Sequence, residues 1–274
     1  MNKKKVVYIA AIAVLLVVFA VSAFMVGRYI IQSKEQKAQA AELADLKNSL
    51  QETRPEIMLD ETAPAEVTRP TGAYRDEAIR DENGMLIEYG EIYAKNNDLV
   101  GWIRIDGTKM DYPVMQTPDD RDYYLKRDFY HNYSDWGTIY AREECDINLP
   151  SDNITLYGHN MRDGSMFAVI HKYINKEVWE QNPLIFFDTL YEYHTYEIFS
   201  VFKTTATVGE GFKYHNMIDA ESKEEFDQFI ATCKDLAFYD TGITPEYGDK
   251  IICLSTCEYT LENGRLVMVA RRIS

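Results

Sequence analysis

Hydrophobic and polar positions separate early along this chain. Residues Val6 to Gly27, VVYIAAIAVLLVVFAVSAFMVG, form 22 consecutive positions without a charge, nearly all of them apolar. At about 1.5 Å of rise per residue, a helix of this length crosses roughly 30 Å of hydrocarbon, so the stretch reads as a transmembrane helix. The competing readings are a cleaved signal peptide and a buried core helix. A secretory apolar region usually runs about 7–15 residues, and no clear A-x-A site follows this one. Lys3, Lys4 and Lys5 on one side are matched by Arg28, Lys34 and Lys37 on the other, so charge alone hardly orients the helix. The five-residue N-terminal flank can host no domain. Its tight lysine cluster favours a single-pass protein of the cell membrane, with the N-terminus inside and the bulk of the chain outside.

The pattern then changes twice. Gln32 to Thr53 is rich in Ala, Glu, Lys, Gln and Leu, with Glu42, Leu43, Leu46 and Leu50 at near-helical spacing, which predicts a helical stalk. Arg54 to Ala73 holds Pro55, Pro64, Pro70 and Gly72 among few large apolar residues and reads as an extended linker. The expected organisation is therefore a flank over 1–5, an anchor over 6–31, a stalk and Pro-containing linker over 32–73, and a folded domain over 74–274.

That domain is dense in Tyr and Phe, and short alternating or β-branched runs recur between turn residues. This is a β-rich pattern. Strands are expected at Val100–Ile105, Lys109–Val114, Gly137–Ala141, Asn153–Tyr157, Leu184–Asp188, Thr195–Thr204, Lys250–Glu258 and Arg265–Arg272. Helices are expected at Arg75–Asn96, at Ser165–Ile174 behind a Ser cap, and after Ser222. The last is the clearest: Ser222 and Glu225 have capping-box spacing, and Phe226, Phe229, Ile230 and Cys233 recur at i, i+3, i+4 and i+7.

Composition narrows the function classes. With 46% apolar and 13% aromatic residues in 274, the chain can bury a sizeable core. Its formal net charge of −15 disfavours nucleic acid as a partner, because a polyanion would meet repulsion. The charge is segregated: residues 1–31 carry four basic and no acidic side chains, whereas 74–274 carry twenty basic and thirty-six acidic. Four cysteines (Cys145, Cys233, Cys253, Cys257) are too few for a disulfide scaffold, and neither C-x-x-C nor zinc-site spacing is present.

Candidate chemistry lies in the final hairpin. In IICLSTCEY the period-2 rule places Ile251, Cys253, Ser255 and Cys257 on one face. Cys253 and Cys257 would stand about 13 Å apart on an extended strand, too far for a disulfide. Arg265 opens the next strand and can be a cross-strand or diagonal neighbour of Cys257. A fixed guanidinium favours thiolate and can hold a developing oxyanion. His159, following the strand ITLY across Gly158, is the best-placed proton donor of the five histidines. Blander readings compete. A strand cysteine is by default a small buried hydrophobe, which fits Cys233, Cys253 and Cys145. Arg265 alone would be a solvated charge. His131, His171, His194 and His215 read as surface or packing residues, and the Tyr and Phe density reads as core.

The segments LYGHNM (Leu156 to Met161) and LSTCEY (Leu254 to Tyr259), followed by a strand opening with Arg265, resemble the sortase family. Further likeness to class B lies in NNDLVGWIRIDGTKMDYPVMQ, in GHNMRDGSMF, in the N-terminal helix and in the helix before the cysteine hairpin. The resemblance covers about residues 90 to 274. One departure is IYAREECD after Gly137-Thr138, where an acidic or aliphatic run such as FLD would be expected.

The resemblance implies a closed eight-stranded β-barrel with an N-terminal helix and helical insertions, preceded by one transmembrane helix. It implies a cysteine transpeptidase without cofactor or metal, acting outside a Gram-positive cell. Cys257 would attack a threonine carbonyl in the C-terminal sorting motif of a secreted protein, of Asn-Pro-x-Thr or similar type. His159 would serve as acid and base, and Arg265 would hold the oxyanion. Ser255, Thr256 and Asn160 are candidate substrate contacts. The acyl group would pass to a peptidoglycan amine, anchoring the protein to the wall. Two alternatives are a pilin-polymerising sortase and a catalytically silent membrane-tethered binding module.

Overall fold

The structure, a computed structural model, describes residues 3–52 and 78–274. The chain divides into two compact units, Met1–Ala41 and Glu42–Ser274. The first contains most of helix α1 (Lys3–Glu52), whose stretch Val7–Ser49 is long and apolar enough to cross a membrane. Leu15, Phe19 and their neighbours stand exposed along it, as lipid-facing side chains would. The Pro-containing linker expected over 54–73 lies outside the described residues.

The second unit is a closed barrel of eight strands: β1 (Leu99–Arg104), β2 (Asp111–Met115), β3 (Ile139–Ala141), β4 (Asn153–Tyr157), β5 (Leu184–Thr189), β6 (Thr195–Thr205), β7 (Ile251–Cys257) and β8 (Gly264–Arg272). Their order around the barrel is β1-β2-β3-β4-β7-β8-β6-β5. The antiparallel hairpin β7–β8 therefore sits between β4, which β7 meets in parallel, and β6, which β8 meets antiparallel. All eight strands fall where period-2 alternation and β-branched runs place them, with ends shifted by two residues at most.

Helix α2 (Ile87–Lys95) packs with the end of α1 on one side of the barrel. Leu43 on α1 is buried with Leu86, Tyr89, Ile92, Trp102 and Phe129. Lys47 is buried too: its side chain is 3% exposed, its ammonium lies 2.7 Å from Asp111 Oδ1, and it stands 4.3 Å over the Trp102 ring. Burial lowers its pKa, against the pull of Asp111. Of the helix expected over Arg75–Asn96, residues 75–77 are outside the description and 78–86 are not helical. Asp81 Oδ1 accepts from Asn83 N (2.8 Å) and Met85 N (2.9 Å), and Gly84 takes φ 79°. This aspartate-led turn satisfies the backbone locally, so the helix starts only at Ile87.

The helix expected at Ser165–Ile174 is instead a 3₁₀ segment, Phe167–Ile174, entered through Met166 at φ 56°. Ser165 does not cap it; its hydroxyl donates to Asp163 Oδ1. A short helix α3 (Lys176–Gln181), not among the expected elements, follows it, capped by Asn175. Helix α4 (Lys223–Asp235) is capped by Ser222 as its spacing predicts, with Glu225 N donating to Ser222 Oγ at 3.2 Å. Its apolar side, Phe226, Phe229, Ile230 and Cys233, packs on Phe199 and Phe202 of β6, Ile251 and Cys253 of β7 and Val267 of β8. The face of β7 that carries Cys257 is thus the outer face, roofed further along by α4 and the connection leading to it.

Candidate active site

The site begins with strand register. Cys257, the last residue of β7, is paired directly with Arg265 of β8. Glu258 N donates to Gly264 O (3.0 Å), so the Cys257–Arg265 pair next to it is of the non-hydrogen-bonded kind, in which facing side chains approach most closely. The Arg265 guanidinium is partly held by its own turn, donating from Nη1 to Gly264 O (3.0 Å) and Asn263 O (3.3 Å). All four cysteines are free thiols; Cys145, Cys233 and Cys253 are buried, and Cys257 alone is partly exposed.

His159 arrives on the neighbouring strand. β4 and β7 run in parallel to the pair Tyr157–Ser255, and the ladder continues as Gly158 N donates to Ser255 O at 3.1 Å. A glycine is required here: a Cβ on Gly158 would lie 2.5 Å from Ile139 Cδ1 and 2.7 Å from the Phe167 ring. The His159 ring then turns to Leu125, whose carbonyl oxygen is 2.8 Å from Nε2. A carbonyl only accepts, so Nε2 carries the proton and Nδ1 keeps the lone pair in the neutral ring. Burial lowers the His159 pKa and Lys126 adds to this, against the Leu125 hydrogen bond and Asp135. The resting imidazole is therefore biased towards its neutral form.

Cys257, His159 and Arg265 open into one cleft of about 270 Å³. Ser255 and Thr256 also line it, but both hydroxyls have partners in the scaffold. Ser255 Oγ lies 2.5 Å from Tyr214 OH, and Thr256 Oγ1 donates to Gly158 O at 2.7 Å. Asn160 is not on the cleft wall; its side chain turns towards the Cys257 carbonyl.

Several lining groups carried no sequence signal of their own. Tyr214 and His215 come from the connection between β6 and α4, and Leu125 and Asp122 from that between β2 and β3. Burial raises the pKa of Tyr214, and that of Tyr157 is pushed up to about 12, so both phenols stay protonated as donors. The unexpected IYAREECD run supplies Tyr140, Arg142 and Glu143 to the wall, where Arg142 pairs with Glu144 and Arg121 with Glu143. Cys145 lies behind this wall, its Sγ 3.5 Å from Asn153 O and its pKa pushed up to about 11 by burial. A thiol, an imidazole and a guanidinium in one cleft can perform acyl transfer through a thioester.

Comparison with known proteins follows the same lines. The family model for the Sortase domain matches residues 103–273. The chain is 30% identical to sortase B of Listeria monocytogenes over 203 residues, 73% of this chain and 80% of that protein. It is 32% identical to sortase B of Staphylococcus aureus over 180 residues, 65% and 71% of the respective chains. Among solved structures, a Staphylococcus aureus sortase B-substrate complex matches with TM-score 0.72 at 26% identity, covering 89% of this chain and 99% of that one.

Proposed function

Because the chain belongs to the sortase family of cysteine transpeptidases, we propose that Cys257 is its nucleophile, His159 its acid and base, and Arg265 the holder of the oxyanion. The observation that carries this reading is the direct pairing of Cys257 with Arg265 beside a cleft that also receives His159.

The thiol proton passes to Nδ1 of His159, the nitrogen that its bond to Leu125 leaves with a lone pair. The thiolate adds to the threonine carbonyl of a sorting motif, and Arg265 meets the charge that develops on oxygen. Collapse of the adduct breaks the C–N bond, and His159 delivers its proton to the leaving amine. An incoming amine then loses a proton to His159, attacks the thioester and releases Cys257 as thiolate, which takes that proton back from His159, restoring the thiol and the neutral imidazole. The acceptor is a peptidoglycan amine, so the product is a surface protein joined to the wall. The substrate is a secreted protein with a C-terminal motif of Asn-Pro-x-Thr type. A Staphylococcus aureus sortase B solved in complex with its substrate supports substrate binding by a protein of this fold.

The apolar helix anchors the enzyme by a single pass, with residues 1–5 inside and the barrel outside. Tethering raises the effective concentration of the site near translocating substrates. The test is to incubate the full chain in detergent with Asn-Pro-x-Thr peptides and weigh the protein. A thioacyl adduct on Cys257 and loss of turnover in Cys257→Ala are expected; unchanged turnover in that variant sinks the assignment. A peptidoglycan stem-peptide amine should then accept the acyl group, whereas covalent protein ladders would redirect the reading to pilin polymerisation.

A further inference from the structure

Two side chains outside the trio converge on the backbone of the nucleophile. Asn160 Nδ2 lies 3.3 Å from the Cys257 carbonyl oxygen and 2.9 Å from His171 Nε2, and His171 Nε2 lies 3.2 Å from the same carbonyl. Strand geometry explains why they are there. The Cys257–Arg265 pair is non-hydrogen-bonded, so the Cys257 carbonyl points away from β8, towards β4. Two residues earlier, Ser255 O points the same way and is met by Gly158 N. Beyond Gly158 the backbone swings off to present His159, and the parallel ladder has no main-chain donor to offer Cys257 O. The Asn160 side chain takes that position.

His171 reaches the same point from the 3₁₀ segment, and the intervening loop is closed on itself. Phe167 N donates to His159 O at 3.0 Å, and Asn160 and Met166 form an isolated bridge. Nε2 of His171 cannot donate and accept at once. With the amide as placed, Asn160 gives one proton to His171 Nε2 and the other to Cys257 O. With the amide turned over, His171 Nε2–H serves both Asn160 Oδ1 and Cys257 O. In either assignment the nucleophile's carbonyl keeps a donor, Asn160 in the first and His171 in the second, and in each the hydrogen bond to the other side chain orients that donor.

We propose that Asn160 and His171 form one positioning pair that fixes the main chain of Cys257 and holds its thiol in register with the loop bearing His159. This deepens the transpeptidase reading and rests on it for the role of Cys257. It also moves Asn160 from substrate contact to scaffold, and gives His171 a role that its sequence context did not suggest.

The test uses the full chain in detergent with two probes. Iodoacetamide alkylation of Cys257, located by peptide mass, reads the thiol without any substrate. Asn160→Ala, His171→Ala and the double variant should slow it by the same factor of about three, since each removes the same unit. His171→Gln, which restores an amide hydrogen-bonding group, should recover most of the rate. On an Asn-Pro-x-Thr peptide, the two single variants should lower kcat by about tenfold with KM within about twofold, as misplacement of a reacting group does. Alkylation at the rate of the unsubstituted chain, or losses that add in the double variant, would overturn the pair. The expected alkylation pattern without peptide turnover by the unsubstituted chain would overturn the transpeptidase reading instead.

Discussion

The Thr256 hydroxyl donates to the Gly158 carbonyl at 2.7 Å, so the residue before the nucleophile is tied to the residue before the imidazole. Thr256→Val keeps the shape and removes only this bond, leaving a carbonyl short of its donor. The expected result is a melting temperature lower by a few degrees, for a loss of about 1 kcal/mol, and a kcat reduced by about tenfold. Calorimetry and peptide turnover measure the two separately.

Gly158→Ala tests the other end of that tie. The added methyl would meet Ile139 and Phe167 at distances no folded core accepts, so one of them or the His159 turn must move. A destabilisation of about 1–3 kcal/mol by urea titration is expected, with activity falling further than stability alone explains.

Arg265→Lys keeps the charge and discards the planar donor fork. With the fork lost, kcat should drop by about 100-fold on the peptide, and by more in Arg265→Ala. Equal activity in both variants would mean that only the bulk of the side chain matters.

Thiol reactivity should follow burial. Cys257 should react with iodoacetamide in the folded chain, whereas Cys145, Cys233 and Cys253 should do so only after unfolding. Burial encloses these three and raises their pKa values. Mass mapping before and after urea checks this.

Acid should weaken the fold through histidine before it does so through carboxylates. Burial lowers the pKa values of His159, His194 and His215 below that of an unfolded histidine, about 6.5. Between the folded and unfolded values the unfolded chain binds more protons, so this stability is complete above about 6.5 and is lost as pH falls through that window. Glu143 and Glu258 have pKa values lowered by their partners and contribute the same sign of change at lower pH. Urea midpoints should therefore decline as pH falls below about 6.5, and less so in His194→Asn.

The strands were legible because their signal is local: alternation and β-branched runs carry through to all eight. The helical insertions were less so. The Asp81 turn contains residues that also start helices, and α3 buries none of its side chains, so it has no apolar stripe to read. In the site, Cys257 and Arg265 were legible because a hairpin joins them. His159 was legible as a strand-end candidate and through its motif, but not its approach to Cys257, since β4 and β7 pair across roughly a hundred residues of intervening chain. Tyr214 and Leu125 sit on connections whose course no periodicity encodes, and His171, on a segment whose helical pattern is readable, reaches Cys257 only through the tertiary fold.

The place of the β7–β8 hairpin in the barrel has a consequence for when activity appears. Without it, β4 and β6 are the two open edges of a six-stranded sheet, and neither thiol nor guanidinium is in place. Pairing β4 with β7 closes a very long loop, a slow step in any chain that folds as it emerges. Barrel closure and assembly of the reactive groups are then one event, and a partly folded chain has no assembled site to react.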